Sequence, residues 1–131
     1  VQLYLDTSAL VKLILLEPES EHLHDYLAGF PEDAQFTSAL TRTELVRAVA
    51  RASSVEFVTH ANRVLRRLAS VALTNQMLDD AAALQPPELR TLDAIHLAAA
   101  RTAPRLRAVV TYDNRLAEAA HNLGFAVVAP A

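Results

Sequence analysis

The chain has 131 residues, of which 52% are hydrophobic, and it carries a formal net charge of −3 and no cysteine. That length suits one domain with an unaided core, and the missing thiols exclude disulfides, zinc-thiolate sites and cysteine nucleophiles. The mild acidity is the opposite of the basic footprint usual in a nucleic-acid binder.

No apolar run approaches the ~20 residues of a membrane span. The first sixteen residues are interrupted by Asp6 and Lys12, unlike the apolar region of a signal peptide. The expectation is a soluble, cytoplasmic protein forming a single domain over residues 1–131. Lys12 is the only lysine among eleven arginines. Arginine's planar fork suits bidentate phosphate contacts, although genomic base composition explains the bias as well.

The chain starts apolar and β-prone at Val1, Leu3, Tyr4 and Leu5, and Asp6-Thr7-Ser8 then breaks the run, so a buried strand delivers a carboxylate at its carboxyl end. A short helix is predicted over 8–16, stopping at Glu17-Pro18 because proline disfavours helical geometry in the preceding residue. A second helix over 19–27 opens on Glu19 and Glu21, which complement its dipole, and ends at Gly29. A short strand over 35–38 leads into a helix over 40–52, with Leu45, Val46 and Val49 on its apolar face and Glu44, Arg47 and Arg51 beside it. A further amphipathic helix runs to residue 68 with Arg63, Arg66 and Arg67 on its polar side, suggesting an αα-hairpin laid over the sheet.

Residues 71–74 read as another short buried strand, followed by a helix over 76–84 and the punctuation of Pro86-Pro87. The stretch 89–103 is helical, with Asp93 near its start and His96 three residues on. A strand over 107–112 ends in a second carboxylate, Asp113. A helix over 114–123 then stops at Gly124, and a last strand covers 125–128. Strands alternating with helices imply an α/β fold with a parallel sheet of four to five strands and helices on both faces.

Each acid has an ordinary role open to it. Asp6 and Asp113 lie at strand-to-helix junctions, where aspartate often caps the next helix. Glu44 can pair with Arg47, and Asp93 can answer a helix dipole. Their joint placement suggests more, because ligand sites of α/β sheets gather beyond the carboxyl ends of the strands, and helix starts abut those same ends. Four carboxylates facing one crevice would raise one another's pKa unless a cation neutralised them. A hard divalent ion such as Mg2+ or Mn2+, bound by oxygen ligands and able to bridge to phosphate, fits best. His96 could extend this into a D-x-x-H metal motif, but a histidine bonded inside the fold is favoured. Thr7, Ser8 and Thr111 flank the acids and can bond a carboxylate, a water or a phosphate.

The segments LYLDTSALVKL, TRTELVRAVAR, LRTLDAIHLAAA and VVTYDNRLAEAAHNLGFAV, taken together and in this order, resemble the PIN domain, and within it the VapC-type toxin ribonucleases of bacterial toxin–antitoxin pairs. The resemblance implies a PIN-like three-layer fold and a Mg2+- or Mn2+-dependent endoribonuclease. It implies that Asp6, Glu44, Asp93 and Asp113 are the catalytic and metal-binding acids, with Asn114 able to share or assume the role of Asp113. Thr7, Ser8 and Thr111 match supporting positions. It also implies a homodimer, a VapB-type antitoxin partner and an RNA substrate. Arg42, Arg47, Arg90 and Arg115 are candidates for guiding RNA, as are the arginines of the 57–68 helix.

Other classes fit less well. A receiver-like regulatory domain needs a lysine late in the sheet, and Lys12 lies too early. A haloacid-dehalogenase-like phosphatase needs D-x-D after the first strand, where Ser8 stands instead. A catalytically silent binding protein of the same fold is the remaining alternative, and retention of all four acids argues against it.

Overall fold

The computed structural model describes residues 1–52 and 54–131. Its strands are β1 (Gln2–Leu5), β2 (Ala34–Ser38), β3 (Ala69–Val71), β4 (Leu106–Val110) and β5 (Val127–Val128). Its helices are α1 (Thr7–Ile14), α2 (Ser20–Ala28), α3 (Leu40–Ala52), α4 (Val55–Arg67), α5 (Asn75–Ala82), α6 (Thr91–Arg101) and α7 (Asn114–Asn122). The strands form one parallel sheet in the order β3-β2-β1-β4-β5. The expected α/β architecture, a parallel sheet between helical layers, is therefore what the chain adopts.

The pleat of the two central strands divides the core. Leu3 and Leu5 of β1, with Ala108 and Val110 of β4, face a cluster built from Leu10, Leu23, Leu45, Val49 and Leu65 of α1 to α4. Tyr4 and Val109, one residue out of phase, face the opposite cluster of Met77, Ile95, Leu97, Leu116 and Ala120 from α5 to α7. Central parallel strands covered on both faces must be apolar throughout, which is why β1 reads as a continuous run rather than an alternation.

Helix α6 is the most enclosed element, with every residue from Asp93 to Ala100 buried. Its alanines let it lie close to the sheet, and they leave Asp93 and His96 as its only buried polar side chains. No described helix is long and apolar enough to cross a membrane.

Two local expectations change, those for the third and last strands, while Gly29 ends α2 as expected. The third strand lies at Ala69–Val71 rather than 71–74, and it is an edge strand paired only with β2, with Ala69 and Ser70 exposed. Thr74 instead caps α5 by accepting from the Met77 N–H at 3.1 Å, which removes the end of that run from the sheet. The last strand shortens to Val127–Val128 at the other edge. Gly29 closes α2 in right-handed geometry (φ −71°), where Pro31 already restricts Phe30; Gly124 after α7 is the one that takes a left-handed φ of 89°.

Leu97, fully buried under the sheet, should be costly to truncate. Leu97→Ala is expected to lower unfolding free energy by about 2–5 kcal/mol, whereas Val55→Ala, at a position 79% exposed, should change it by less than ~0.5 kcal/mol. Chemical denaturation of both variants measures the contrast.

Candidate active site

The strand order reverses between β1 and β4: β2 and β3 extend the sheet on one side of β1, and β4 and β5 on the other. The crevice beyond the carboxyl ends of β1 and β4 is thus where an α/β sheet opens a site. Asp6 leaves β1 there and caps α1. Its Oδ1 accepts from the Ala9 N–H at 3.0 Å and the Ser8 hydroxyl at 2.7 Å, and its Oδ2 accepts from Thr111 Oγ1 at 2.6 Å.

Ser8 Oγ in turn accepts from the Tyr112 N–H at 2.8 Å, so the same hydroxyl ties the starts of two strand-to-helix connections together. Asp6 is 3% exposed. Burial pushes its carboxyl above the usual aspartate range, although Thr111, the Ala9 N–H and Ser8 all pull it down. Capping and site placement therefore coincide in one residue.

Asp113 repeats the arrangement after β4. Its Oδ1 caps α7 by accepting from the N–H groups of Arg115 (2.9 Å) and Leu116 (3.3 Å). Thr111 Oγ1, while donating to Asp6, accepts from the Asp113 N–H at 3.0 Å.

Asp93, in the first turn of α6, receives the Arg90 guanidinium as a fork: Nε to Oδ2 at 2.9 Å and Nη2 to Oδ1 at 3.2 Å. The same Nη2 lies 3.5 Å from Asp113 Oδ2. A positive charge thus stands between two of the four acids.

Glu44 projects from the second turn of α3. It does not pair with Arg47; its Oε1 accepts from Thr7 Oγ1 at 2.7 Å and lies 2.8 Å from His96 Nε2. Burial alone would raise its carboxyl, but the hydrogen bonds from His96 and Thr7 outweigh that and hold it below the usual glutamate range. Tyr4 O–H meets the other imidazole nitrogen, His96 Nδ1, at 2.6 Å.

One cavity of about 460 Å3 is lined by Asp6, Thr7, Ser8, Glu44, Arg90, Asp93, His96 and Asp113, with Val11, Ala48, Leu92 and Leu116 as apolar walls. All four expected acids and Thr7, Ser8 and Arg90 meet there, and Thr111 acts from beneath through Asp6. Asn114, Arg42, Arg47 and Arg115 do not line it. Arg42 and Arg47 lie on the exposed side of α3, and Arg115 borders a separate cleft beside Pro86 and Glu118.

The donor chemistry suits a hard divalent ion, being carboxylate oxygen from four separated segments. Among the described residues, no three acid or histidine side chains close on a single point. Each carboxylate is turned instead to a local donor, and the Arg90 guanidinium lies between Asp93 and Asp113.

Sequence reasoning did not assign Tyr4 or link His96 to Glu44. Two signals pointed there. A tyrosine in the middle of a buried strand must find a partner for its hydroxyl, and His96 follows Asp93 by three residues, on the same side of α6.

A PIN domain family model matches residues 3–122. Ribonuclease VapC35 of Mycobacterium tuberculosis strain H37Rv is 52% identical over 131 residues, covering 98% of this chain and 96% of the relative. Among solved structures, VapC20 of Mycobacterium tuberculosis, described as a sarcin–ricin loop cleaving toxin, superposes with a TM-score of 0.79 at 17% identity, covering 98% of this chain and all of that one. A chain of a toxin–antitoxin complex from Klebsiella pneumoniae superposes at 0.73 and 21% identity, covering 100% of this chain and 98% of that one.

The two acids with opposite shifts predict opposite stability profiles in metal-free protein. Asp6, raised above its ordinary 3.8, costs stability as pH climbs through its folded value. Asp6→Asn should therefore melt above the parent at pH ~7 and converge with it toward pH ~4. Glu44, lowered from 4.5, contributes stability above its ordinary value and loses it as pH falls through its folded one. Glu44→Gln should be less stable by about 1–2 kcal/mol at neutral pH, a deficit that closes in acid. Thermal melts across pH check both signs.

Proposed function

The chain belongs to the PIN-domain family as a VapC-type toxin ribonuclease, and from that premise we propose that it hydrolyses RNA phosphodiester bonds with Mg2+ or Mn2+ held by Asp6, Glu44, Asp93 and Asp113. The observation that carries this reading is the meeting of four carboxylates, from four separate segments, in one cavity at the strand-order reversal. Four acids so placed have little use in binding RNA, whose phosphates they repel, unless a cation intervenes. When bound, such an ion neutralises the phosphodiester, lowers the pKa of an attacking water and stabilises the leaving oxygen.

The chain's own residues then have distinct tasks. Thr111, Ser8 and the start of α1 hold Asp6 in one orientation despite its burial. Asp113 is held through one oxygen by the α7 N-terminus, and its other oxygen is turned toward Arg90. Among the described residues, Arg90 is the one arginine lining the cavity. Were Asp93 and Asp113 to hold a cation, the Arg90 fork would be free for a substrate phosphate, which guanidinium binds in bidentate fashion. Arg42, Arg47 and Arg115, outside the cavity, would steer the flanking RNA backbone.

A cognate antitoxin is the partner that the VapC relatives support, here of VapB type, and a homodimer is the proposed assembly. The residues described act together as one PIN domain.

Purified, antitoxin-free protein should lose RNA cleavage in excess chelator and regain it with Mg2+ or Mn2+. Asp93→Asn should reduce cleavage by at least ~100-fold, with far-UV circular dichroism unchanged. Undiminished cutting in chelator would overturn the metal-dependent mechanism. Arg90→Gln should bind Mn2+ several-fold more tightly, because the internal counter-ion is gone, while cutting RNA more slowly; titration calorimetry and a cleavage assay separate the two effects.

A further inference from the structure

We infer that His96 is the positioning residue for Glu44, held by Tyr4 in the tautomer that donates from Nε2, so that Glu44 presents its second carboxylate oxygen to the reaction. The inference rests on the proposed function for the role of Glu44, but its geometry stands independently.

Tyr4 lies in the middle of β1 with no exposure, and His96 is 4% exposed. The phenol is boxed in, its ring edge-on to Phe36 at 5.2 Å and to the imidazole at 6.0 Å. Among the described residues, the one hydrogen bond of the buried Tyr4 hydroxyl is to His96. With no other acceptor for its buried O–H, the phenol donates to His96 Nδ1 at 2.6 Å. An imidazole that accepts at Nδ1 carries its proton on Nε2, and Nε2 faces Glu44 Oε1 at 2.8 Å, an acceptor by nature. The directions of both bonds thus follow from the ends of the chain, a buried phenol whose O–H has one acceptor and a carboxylate that must receive.

The consequence for Glu44 is an asymmetric carboxylate. Thr7 and His96 both address Oε1, and among the described residues no hydrogen bond reaches Oε2. Two donors on one oxygen fix the rotation of the group and leave the lone pairs of the other uncommitted, at a residue that lines the cavity. Outer groups that orient acidic ligands in this way commonly matter by about 10–100-fold when removed. The relay also couples the site to the fold, because its far end is a core residue of the central strand.

Nitrogen-15 NMR of the histidine side chains in metal-free protein reads the tautomer directly. The expected result is protonation at Nε2 with an unprotonated, hydrogen-bonded Nδ1 in the parent, and a shift toward a tautomer mixture in Tyr4→Phe. In cleavage assays, His96→Leu should lower kcat by about 10-fold or more with KM little changed, and His96→Gln, whose amide can still donate toward Glu44, should recover part of the loss. A proton on Nδ1 in the parent would overturn the inference. So would parental kcat in a folded His96→Leu; should that variant not fold, parental tautomer and kcat in Tyr4→Phe would do the same. Failure of the metal mechanism reads differently: cleavage would persist in chelator while the tautomer and the kcat losses remained.

Discussion

Four carboxylates at one end of a sheet repel one another, and two of them are buried, so the site exists only because each is compensated where it stands. The compensation is local and different in each case. Asp6 uses a helix N-terminus and two hydroxyls, and Asp113 a helix N-terminus and the edge of a guanidinium. Asp93 takes the guanidinium fork, and Glu44 a threonine and a histidine. No lysine takes part. Burying a carboxylate without partners costs several kcal/mol, and these donors are what make the cluster compatible with a stable fold.

The donors come from the same junctions as the acids, which is a property of the parallel sheet. A strand that ends at its carboxyl edge and turns at once into a helix supplies a helix N-terminus, and the two central strands supply two. Hydroxyls at Ser8 and Thr111 bridge those two junctions, bonding to each other's neighbourhoods across 103 residues of chain. The strand pleat then sorts what lies beneath: Leu3 and Leu5 go to one core and Tyr4 to the other. That alternation sends the phenol of Tyr4 toward α6, where His96 waits.

Much of this was legible in the sequence because it is local. A buried strand running into Asp-Thr-Ser, and a second running into Asp113, announce their junctions by composition alone. The alternation of strands and helices implies the parallel sheet. Pairing between α3 and α6 was not legible, since nothing in the spacing of Glu44 and His96 says that two helices 52 residues apart meet. Edge strands were misplaced for a related reason. The run 71–74 is as apolar as a buried strand, but the edge needs only enough residues to pair with β2, and Thr74 was worth more as a cap. The arginines were separable only by structure: Arg90 and Arg115 look alike in composition, yet one enters the cavity and the other borders a different cleft.

Arg90 clarifies why the carboxylates do not already converge. Each acid is turned to a nearby donor, and the guanidinium serves Asp93 and Asp113 at once. The guanidinium side chain is 47% exposed, and an exposed ion pair is weak. Glu44 and Asp6 take their donors from α1, from α6 and from Thr111 just past β4. Asp93 and Asp113 thus share one exposed guanidinium from the residue before α6, whereas Asp6 and Glu44 are held by hydroxyl, imidazole and backbone donors of the elements that line the crevice.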